Sequence, residues 1–332
     1  MMSTWIPQPA LDITVSADDE ATILRRGDGA GLLYSGRVNS LIGASESGKS
    51  WLAVEALRQV VTDGGLAVYL DFEDSLPSIV RRLRTVGLAD ADLARVRVGS
   101  PDDPPAGEDA NRIASGAQLV VFDGMDSALH LAGCDPNSAA DVSGFYDGVL
   151  RPIAHTGAAV IAVDHVRKRR DTGERGAGGS QAKRAKVDGA SLRITMTETV
   201  APGRTGRLEL HVDKDRPGRV RGLTTAGDLV AFATVVSDRV THNMSIQLDS
   251  QLSGRRRDLV DQVGLCITQR ASEHLTQADV RRLVPRRRED VDTALAELVE
   301  LGYAAFSPAP RGGRFITVLK PYDPEAMTWN AY

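Results

Sequence analysis

Residues 38–51 of this 332-residue chain read VNSLIGASESGKSW, and this stretch decides the fold class. An apolar run ends at Gly43, and GASESGKS has the spacing G-x-x-x-x-G-K-S directly before an amphipathic stretch that begins near Lys49. A strand, a glycine-rich turn and a helix in this order form a phosphate-binding loop, in which backbone N–H groups surround phosphate oxygens. The sequence therefore predicts a nucleotide site at the edge of an α/β sheet.

The residue types of this loop match the chemistry of a nucleoside triphosphate. Gly43 and Gly48 permit the tight turn. Lys49 can neutralise the β- and γ-phosphate oxygens, and the Ser50 hydroxyl can ligate Mg²⁺. A glycine-rich turn that binds no nucleotide is the alternative. The predicted nucleotide contacts are Gly43, Ala44, Ser45, Glu46, Ser47, Gly48, Lys49, Ser50, Trp51 and Asp123.

Short β-rich runs alternate with helical stretches between residues 37 and 236. The runs are VNSLIG (38–43), LAVYLDF (66–72), RVRVGS (95–100), QLVVFD (118–123) and AAVIAVDH (158–165), with helices predicted at 49–62, 76–86 and 139–155. Continuous apolar runs of this kind are typical of buried parallel strands in a doubly wound sheet. The later segments ASLRITMTETV, GRLELHVDK, RVRGLT and DLVAFATVV predict antiparallel strands that extend it.

Acidic residues follow two of these runs. Asp123 comes directly after the apolar residues 119–122 and is expected to hold the Mg²⁺ shell through water. Glu73 lies near the carboxyl end of its strand, where ligands bind in open α/β sheets, so its carboxylate could deprotonate an attacking water. Capping of the following helix by Glu73 or Asp74 is the alternative.

The charge of the chain is unevenly distributed. Residues 1–164 hold 12 Lys and Arg against 23 Asp and Glu, a net of −11, whereas residues 165–221 hold 15 against 7, a net of +8. The basic stretch follows His165. This histidine could transmit the loss of a γ-phosphate to the basic stretch, or it could be a structural histidine. Concentrated basic charge indicates contact with a phosphate backbone, and a set of solvated loops is the alternative.

Taken in order, GASESGKS, YLDFEDS, VVFDG and VDHVRK resemble the RecA-like P-loop ATPases, and most closely their plasmid replicative helicase (RepA-type) branch, over roughly residues 37–236. The resemblance implies that Glu73 is the catalytic base and that His165 senses the γ-phosphate. It also implies a ring-shaped homo-oligomer, expected to be a hexamer, with ATP between subunits. Lys214 and Arg216 match a lysine and an arginine that a neighbouring subunit supplies; a charged β-turn is the alternative.

The same resemblance places RKRRDTGERGAGGSQAKRAK (167–186) in the loop that lines the nucleic-acid channel. This segment lacks aromatic residues that could stack on bases, which favours tracking of a single-stranded backbone, with little sequence preference. The predicted nucleic-acid contacts are Arg167, Lys168, Arg169, Arg170, Lys183, Arg184 and Lys186.

The C-terminal part predicts three short helices and two strands, the pattern of a winged helix-turn-helix. Its third helix starts with three arginines (286–288) and continues with acidic residues, so contact with DNA and contact with replication proteins both remain open. The predicted organisation is a strap (1–36), a RecA-like ATPase domain (37–237), a linker (238–253), a winged-helix domain (254–320) and a tail (321–332).

Composition excludes other classes of protein. No apolar run approaches the roughly 18 residues of a membrane span, and the first residues lack the features of a signal peptide. The two cysteines, Cys134 and Cys266, are distant in sequence and predict neither a disulfide framework nor a zinc site. We expect a cytoplasmic, nucleic-acid-dependent ATPase, a replicative helicase or helicase-like replication factor of a plasmid, phage or integrated element. An ATP-switched DNA-binding regulator and a small-molecule kinase are the alternatives.

Overall fold

The computed structural model describes residues 9–10, 20–165, 178–224, 227–309 and 313–324. Its strands are β1 (Ala21–Arg25), β2 (Gly31–Tyr34), β3 (Val38–Gly43), β4 (Ala67–Asp71), β5 (Val96–Gly99), β6 (Leu119–Asp123), β7 (Ala159–His165), β8 (Ala190–Glu198), β9 (Thr205–Asp215), β10 (Leu229–Ser237), β11 (Met244–Asp249), β12 (Ala304–Pro308) and β13 (Arg314–Val318). Its α-helices are α1 (Lys49–Thr62), α2 (Leu76–Thr85), α3 (Asp90–Leu93), α4 (Asp109–Ala114), α5 (Met125–Leu131), α6 (Ala139–Phe145), α7 (Arg151–His155), α8 (Gly178–Lys186), α9 (Gln251–Gln269), α10 (Gln277–Leu283) and α11 (Arg288–Glu300).

A nine-stranded sheet in the order β11-β10-β9-β8-β3-β7-β6-β4-β5 forms the centre of the molecule. Its strands from β8 to β5 pair in parallel, and those from β8 to β11 pair antiparallel. The prediction of a mostly parallel sheet with an antiparallel extension is confirmed. Helices cover both faces of the parallel part, which explains why its strands are continuously apolar.

The core lies on both sides of this sheet. Leu52 of α1 packs on one face in a cluster that includes Val121 and Ile161. Val120 and Phe122 point to the opposite face, where they belong to a cluster with residues of α4 to α7. Alternate residues of one strand therefore serve two cores, as period-two geometry requires.

Strand register brings the predicted site residues to one edge of the sheet. Gly43 at the end of β3 lies opposite His165 at the end of β7. Asp71 at the end of β4 lies opposite Asp123 at the end of β6. The carboxyl ends of these parallel strands form the edge where ligands bind in open α/β sheets.

Two local predictions are wrong. Residues 238–253 do not form a simple linker, because Met244–Asp249 pair with β10 as strand β11 and α9 begins at Gln251. Only short alternation marks this edge strand, whose Ile246 and Leu248 face the core. The segment RVRGLT contains a 3₁₀ turn, Arg221–Leu223, in place of a strand.

The predicted helix at 139–155 is a continuous helical stretch with a π-helical segment at Tyr146–Leu150 between α6 and α7. The helix α5 was not predicted. Its seven residues are too few to show a clear helical period beside the strongly apolar β6.

The described part of the predicted N-terminal strap forms a β1-β2 hairpin against α1. Leu32 and Leu33 are fully buried in the core shared with this helix. The Gln59 side chain accepts a hydrogen bond from the backbone N–H of Arg25 at 2.7 Å and donates one to its carbonyl at 3.0 Å. This hairpin therefore supports the helix that follows the phosphate-binding loop.

Helices α9 to α11 and the antiparallel pair β12-β13 follow in the order that the sequence predicts. They share a third apolar cluster, which includes Val263, Leu295 and Ile316. Salt bridges connect α9 to the sheet: Arg207 of β9 bonds Asp261 at 2.8 Å, and Arg257 bonds Asp249 of β11 at 2.8 Å.

Within the described ranges, no helix combines the length and the apolar character needed to cross a lipid bilayer.

Candidate nucleotide site

The loop between β3 and α1 is closely packed at its two predicted glycines. A Cβ on Gly43 would lie 2.6 Å from the Ile194 carbonyl oxygen and 2.6 Å from Ser47 Oγ. Gly48 has φ +88°, and a Cβ there would lie 2.7 Å from Leu208 Cδ1. Neither position has room for a side chain, because β8 and β9 lie directly against the loop.

Lys49, the first residue of α1, is buried and folds back over the loop. Its ammonium donates hydrogen bonds to the carbonyls of Gly43 at 3.2 Å and Ala44 at 2.6 Å. Burial lowers the pKa of Lys49, and the nearby carboxylates Asp123 and Asp164 oppose this shift. A cation held in this position can receive the phosphate oxygens of a nucleotide.

Asp123 is buried at the end of β6 and is held from two sides. The Tyr69 hydroxyl donates a hydrogen bond to Asp123 Oδ2 at 2.5 Å. Arg82 Nη1 lies 3.7 Å from the same oxygen. Burial, followed by the charge of Asp123, raises the pKa of Tyr69 well above its usual range, so the phenol remains a donor. The orientation of Asp123 is therefore fixed within the protein.

Glu73 extends from the turn after β4 and is exposed. The backbone N–H groups of Glu73 and Asp74 both donate to Asp71 Oδ1, each at 3.0 Å, so Asp71 shapes the turn. The Ser127 hydroxyl donates to Glu73 Oε1 at 3.2 Å. Asp74 accepts a hydrogen bond from the Ser78 hydroxyl at 2.7 Å, and neither Glu73 nor Asp74 occupies the N-cap position of α2. These contacts favour a functional role for Glu73 over the capping alternative.

His165 lies beside the phosphate-binding loop. Its Nδ1 is 3.5 Å from Ser45 Oγ and 3.5 Å from Lys49 Nζ. Its side chain is exposed, while Asp164, the preceding residue, is buried on the other face of the sheet. The imidazole of His165 is therefore placed where it could respond to a nucleotide bound in the loop.

An open cavity of about 1390 Å³ joins these residues. It is lined by the loop residues 43–51 together with Glu73, Asp123 and His165. Sequence reasoning missed other lining residues, which come from α2, β8 and the turn after β8: Arg82, Arg193, Ile194, Thr195, Met196, Thr199 and Val200. Arg82 could have been identified from sequence, because it lies about two helical turns after the acidic turn that contains Glu73. No sequence signal shows that β8 borders the phosphate-binding loop.

Lys214 and Arg216 do not line this cavity. Ala190, at the start of β8, pairs with Asp215, whereas Ile194 of the same strand pairs with Gly43 of the loop. The two basic residues therefore lie at the edge of the sheet opposite the site, about 10 Å (Lys214) and about 17 Å (Arg216) along the strand from it.

The basic residues predicted to contact nucleic acid divide into two groups. Arg167, Lys168, Arg169 and Arg170 lie outside the described residues. Lys183 is buried and bonds Asp164 at 2.9 Å and also pairs with Asp126. Both carboxylates enclose the ammonium inside the protein, which disfavours the predicted contact of Lys183 with nucleic acid. Arg184 pairs with Asp213 and Lys186 pairs with Asp147, so both cations already have acidic partners.

Comparison with known proteins agrees with this geometry. The family model described as AAA domain (AAA_25) matches residues 9–171. Protein RecA from Borreliella burgdorferi (strain ZS7) is 28% identical over 116 residues, as is that from strain ATCC 35210 / B31. Protein RecA from Borreliella afzelii (strain PKo) has the same identity over the same length.

These matches support a RecA-like P-loop ATPase domain in this chain. Each alignment covers 33% of this chain and 30% of the RecA protein. The chain thus spans under a third of the length of these curated relatives.

The residues of this ATPase domain fit ATP with Mg²⁺. The loop forms a cradle that a Cβ at Gly43 or Gly48 would fill. Ser47 Oγ is buried there and has no hydrogen-bond partner within the described residues. Ser50 and Asp123 would hold Mg²⁺, which takes few protein oxygens when phosphates supply the rest.

Proposed function

We propose that this chain is an oligomeric, nucleic-acid-dependent ATPase, and specifically a replicative helicase or helicase-like replication factor of a plasmid, phage or integrated element. One observation carries the proposal. Lys49, Glu73 and His165 line one cavity, whereas Lys214 and Arg216 lie at the opposite edge of the same sheet. With the nucleotide cavity at one edge of the sheet and the exposed Arg216 at the other, one subunit could complete the site of the next.

The cavity has the groups that ATP hydrolysis requires. Lys49 would neutralise phosphate oxygens, and Mg²⁺ would spread the charge that develops on them. Glu73 would orient the attacking water and take its proton, a role for which its exposed carboxylate and its contact with Ser127 are suited. Asp123, held by Tyr69, would position the water shell of the metal.

The neighbouring subunit would complete the site. Arg216 is exposed at the end of β9, on the edge away from the cavity of its own chain. An arginine supplied in trans can contribute about 10³–10⁵ in rate by stabilising the charge of the transition state. Closed rings, such as the proposed hexamer, use one such contact at every interface.

Single-stranded nucleic acid is the proposed activator. The basic segment 166–177 follows directly after His165 and ends where α8 begins. Its four consecutive basic residues (167–170) suit a phosphate backbone.

The C-terminal helices favour a second candidate function, an ATP-switched DNA-binding regulator. Three consecutive arginines, Arg286, Arg287 and Arg288, are exposed at the start of α11. In a winged helix-turn-helix this end of the third helix meets the major groove. Farther along α11, Asp292 pairs with Arg281 of α10 at 2.6 Å. This ion pair neutralises one of the acidic groups of α11 that would otherwise repel DNA.

One experiment separates the two candidates. The ATPase rate is measured with and without single-stranded DNA, and the mass in solution is measured under the same conditions. A large stimulation together with a ring-sized mass supports the replication factor. Negligible turnover together with tight binding of one duplex sequence supports the regulator and contradicts the replication factor.

A further inference from the structure

Helix α8 (Gly178–Lys186) is attached to the nucleotide site by one buried lysine. The Lys183 ammonium donates to Asp164 Oδ1 at 3.0 Å and to Asp164 Oδ2 at 2.9 Å, and it also pairs with Asp126. The side chain of Lys183 is 11% exposed. A single buried cation therefore joins two carboxylates from different elements, and neither carboxylate can lose it without a large cost.

Both carboxylates belong to segments that carry residues of the site. Asp164 directly precedes His165 and accepts its backbone N–H at 2.9 Å. Asp126 lies in the first turn of α5, which begins directly after Gly124. Gly124 in turn packs against the side chain of Glu73. Lys183 thus ties α8 to the segment of the proposed sensor and to the segment beneath the proposed base.

The other end of α8 is attached to β9. Lys214 donates to the carbonyls at the end of the helix, those of Arg184 at 2.7 Å, Ala185 at 3.1 Å and Val187 at 2.6 Å. A cation is favourable at this negative end of a helix. The Arg184 guanidinium also donates to Asp213 Oδ2 at 2.7 Å and to the Asp213 carbonyl at 2.8 Å.

These contacts distinguish the two members of the predicted basic pair. Lys214 has three N–H bonds, and three carbonyls of its own chain accept them. Arg216, two residues later, is exposed. Lys214 is therefore suited to anchor β9 to α8, and Arg216 is the residue of the pair that can face a neighbouring subunit.

We propose that α8 is a coupling helix, which transmits the occupation of the nucleotide site, through Lys183, to the strand end that carries Arg216. Lys183 and Lys214 act as positioning residues at its two ends. This inference rests on the proposed function, in which Arg216 completes the site of the next subunit. In this route, nucleotide bound in one subunit acts on the site of the next subunit indirectly. The change passes from the first site through α8 to Arg216, and only then reaches the second site.

Hydrogen–deuterium exchange of the full chain tests this coupling. Exchange is compared with and without a non-hydrolysable ATP analogue and Mg²⁺, in peptides that cover α8 and residues 213–216. Nucleotide binding is measured on the same samples by calorimetry. In the wild-type protein we expect a nucleotide-dependent change in both regions. Binding without any change at 213–216 would overturn the coupling and leave the ATPase assignment intact, whereas absence of binding would contradict the proposed function itself.

Variants then locate the route of the signal. In Lys183→Met we expect the analogue to bind while the nucleotide-dependent change at 213–216 is lost. A change that persists there would overturn the proposal, because it would show that the signal reaches β9 by a route that does not need Lys183. Lys186→Met is the matched control on the same helix, since Lys186 pairs with Asp147, and it should keep the response.

A second variant covers the possibility that Lys183→Met does not fold, because that change leaves two buried carboxylates without a counter-charge. Lys214→Met acts at the outer end of α8. The nucleotide-dependent change should remain in α8 and disappear at 213–216. An undiminished response at 213–216 in Lys214→Met would overturn the coupling as clearly as the first variant could.

Discussion

Gly124 lies directly against the side chain of Glu73. A Cβ built on Gly124 would lie 3.0 Å from Glu73 Cγ and 3.1 Å from its Cδ, and Gly124 has φ +93°. The glycine that follows Asp123 therefore sets the position of the proposed base. Any side chain here would strain the backbone and push the carboxylate of Glu73 away.

Gly124→Ala should lower ATP turnover at least about tenfold, since small displacements of a catalytic group have large effects on rate. ATP affinity should change little, and the backbone strain should cost about 1–2 kcal/mol of stability. Gly87→Ala is the matched control, because Gly87 has φ +85° and no atom of the described residues lies within 4 Å of its added Cβ. It should lose similar stability and keep its turnover. Equal kinetics in both variants would show that Gly124 does not position Glu73.

Lys49→Ala should weaken ATP binding roughly 10- to 150-fold, because the phosphates lose a charge-assisted hydrogen bond of about 1.5–3 kcal/mol. Calorimetric titration with ATP and Mg²⁺ measures this loss. Lys320→Ala is a suitable control, because its ammonium lies over the Tyr303 ring in the C-terminal part, 4.0 Å from the ring centroid. Unchanged affinity in Lys49→Ala would refute the nucleotide site.

Glu73→Gln should bind ATP normally and lose about 10²- to 10⁴-fold in steady-state hydrolysis, since the amide keeps the shape of the side chain but cannot take a proton. Glu46→Gln is the comparison, because Glu46 is an exposed carboxylate within the loop itself. If Glu73→Gln turns over at the wild-type rate and Glu46→Gln does not, Glu46 is the base.

Much of this site could be predicted from sequence, because the carboxyl ends of parallel strands meet at one edge. Apolar runs that end in Gly43, Asp123 and His165 were enough to place these residues together. The supporting groups could not be predicted in the same way. Tyr69 donates to Asp123 across neighbouring strands, and Ser127 reaches Glu73 from α5, so both contacts depend on tertiary packing.

Counting charge along the chain was misleading for α8. Lys183 belongs to the most basic part of the sequence, yet its partners Asp164 and Asp126 lie 19 and 57 residues earlier in the chain. A local count cannot show that distant carboxylates converge on one ammonium. The edge strand β11 was missed for a related reason, since its pairing with β10 and not its local pattern defines it.

Replacement of Arg167, Lys168, Arg169 and Arg170 by alanine should weaken binding to single-stranded DNA and flatten its dependence on salt. Each lost phosphate contact removes about 0.7 from the slope of log affinity against log salt, so four contacts remove up to about 3. Fluorescence anisotropy at several salt concentrations measures this slope. Arg84→Ala is the control and should leave the slope unchanged, because Arg84 lies in α2, outside the predicted contacts, and pairs with Asp90. An unaltered slope in the fourfold variant would identify this stretch as a solvated surface.

Arg216→Ala and Glu73→Gln should each be nearly inactive when assayed alone, because an interface in the proposed ring needs Arg216 from one subunit and Glu73 from the next. Mixing the two variants should restore part of the ATPase activity. In a mixed ring, some interfaces pair an intact Glu73 with an intact Arg216, whereas neither variant alone can form such an interface. Arg219→Ala, which changes an exposed arginine nearby, is the control and should be active without mixing.

Failure to recover activity, with co-assembly shown by mass measurement, would contradict independent sites completed in trans. The recovered fraction also carries information, because independent interfaces would give activity in proportion to the intact pairs, and a ring that fires in sequence would give far less.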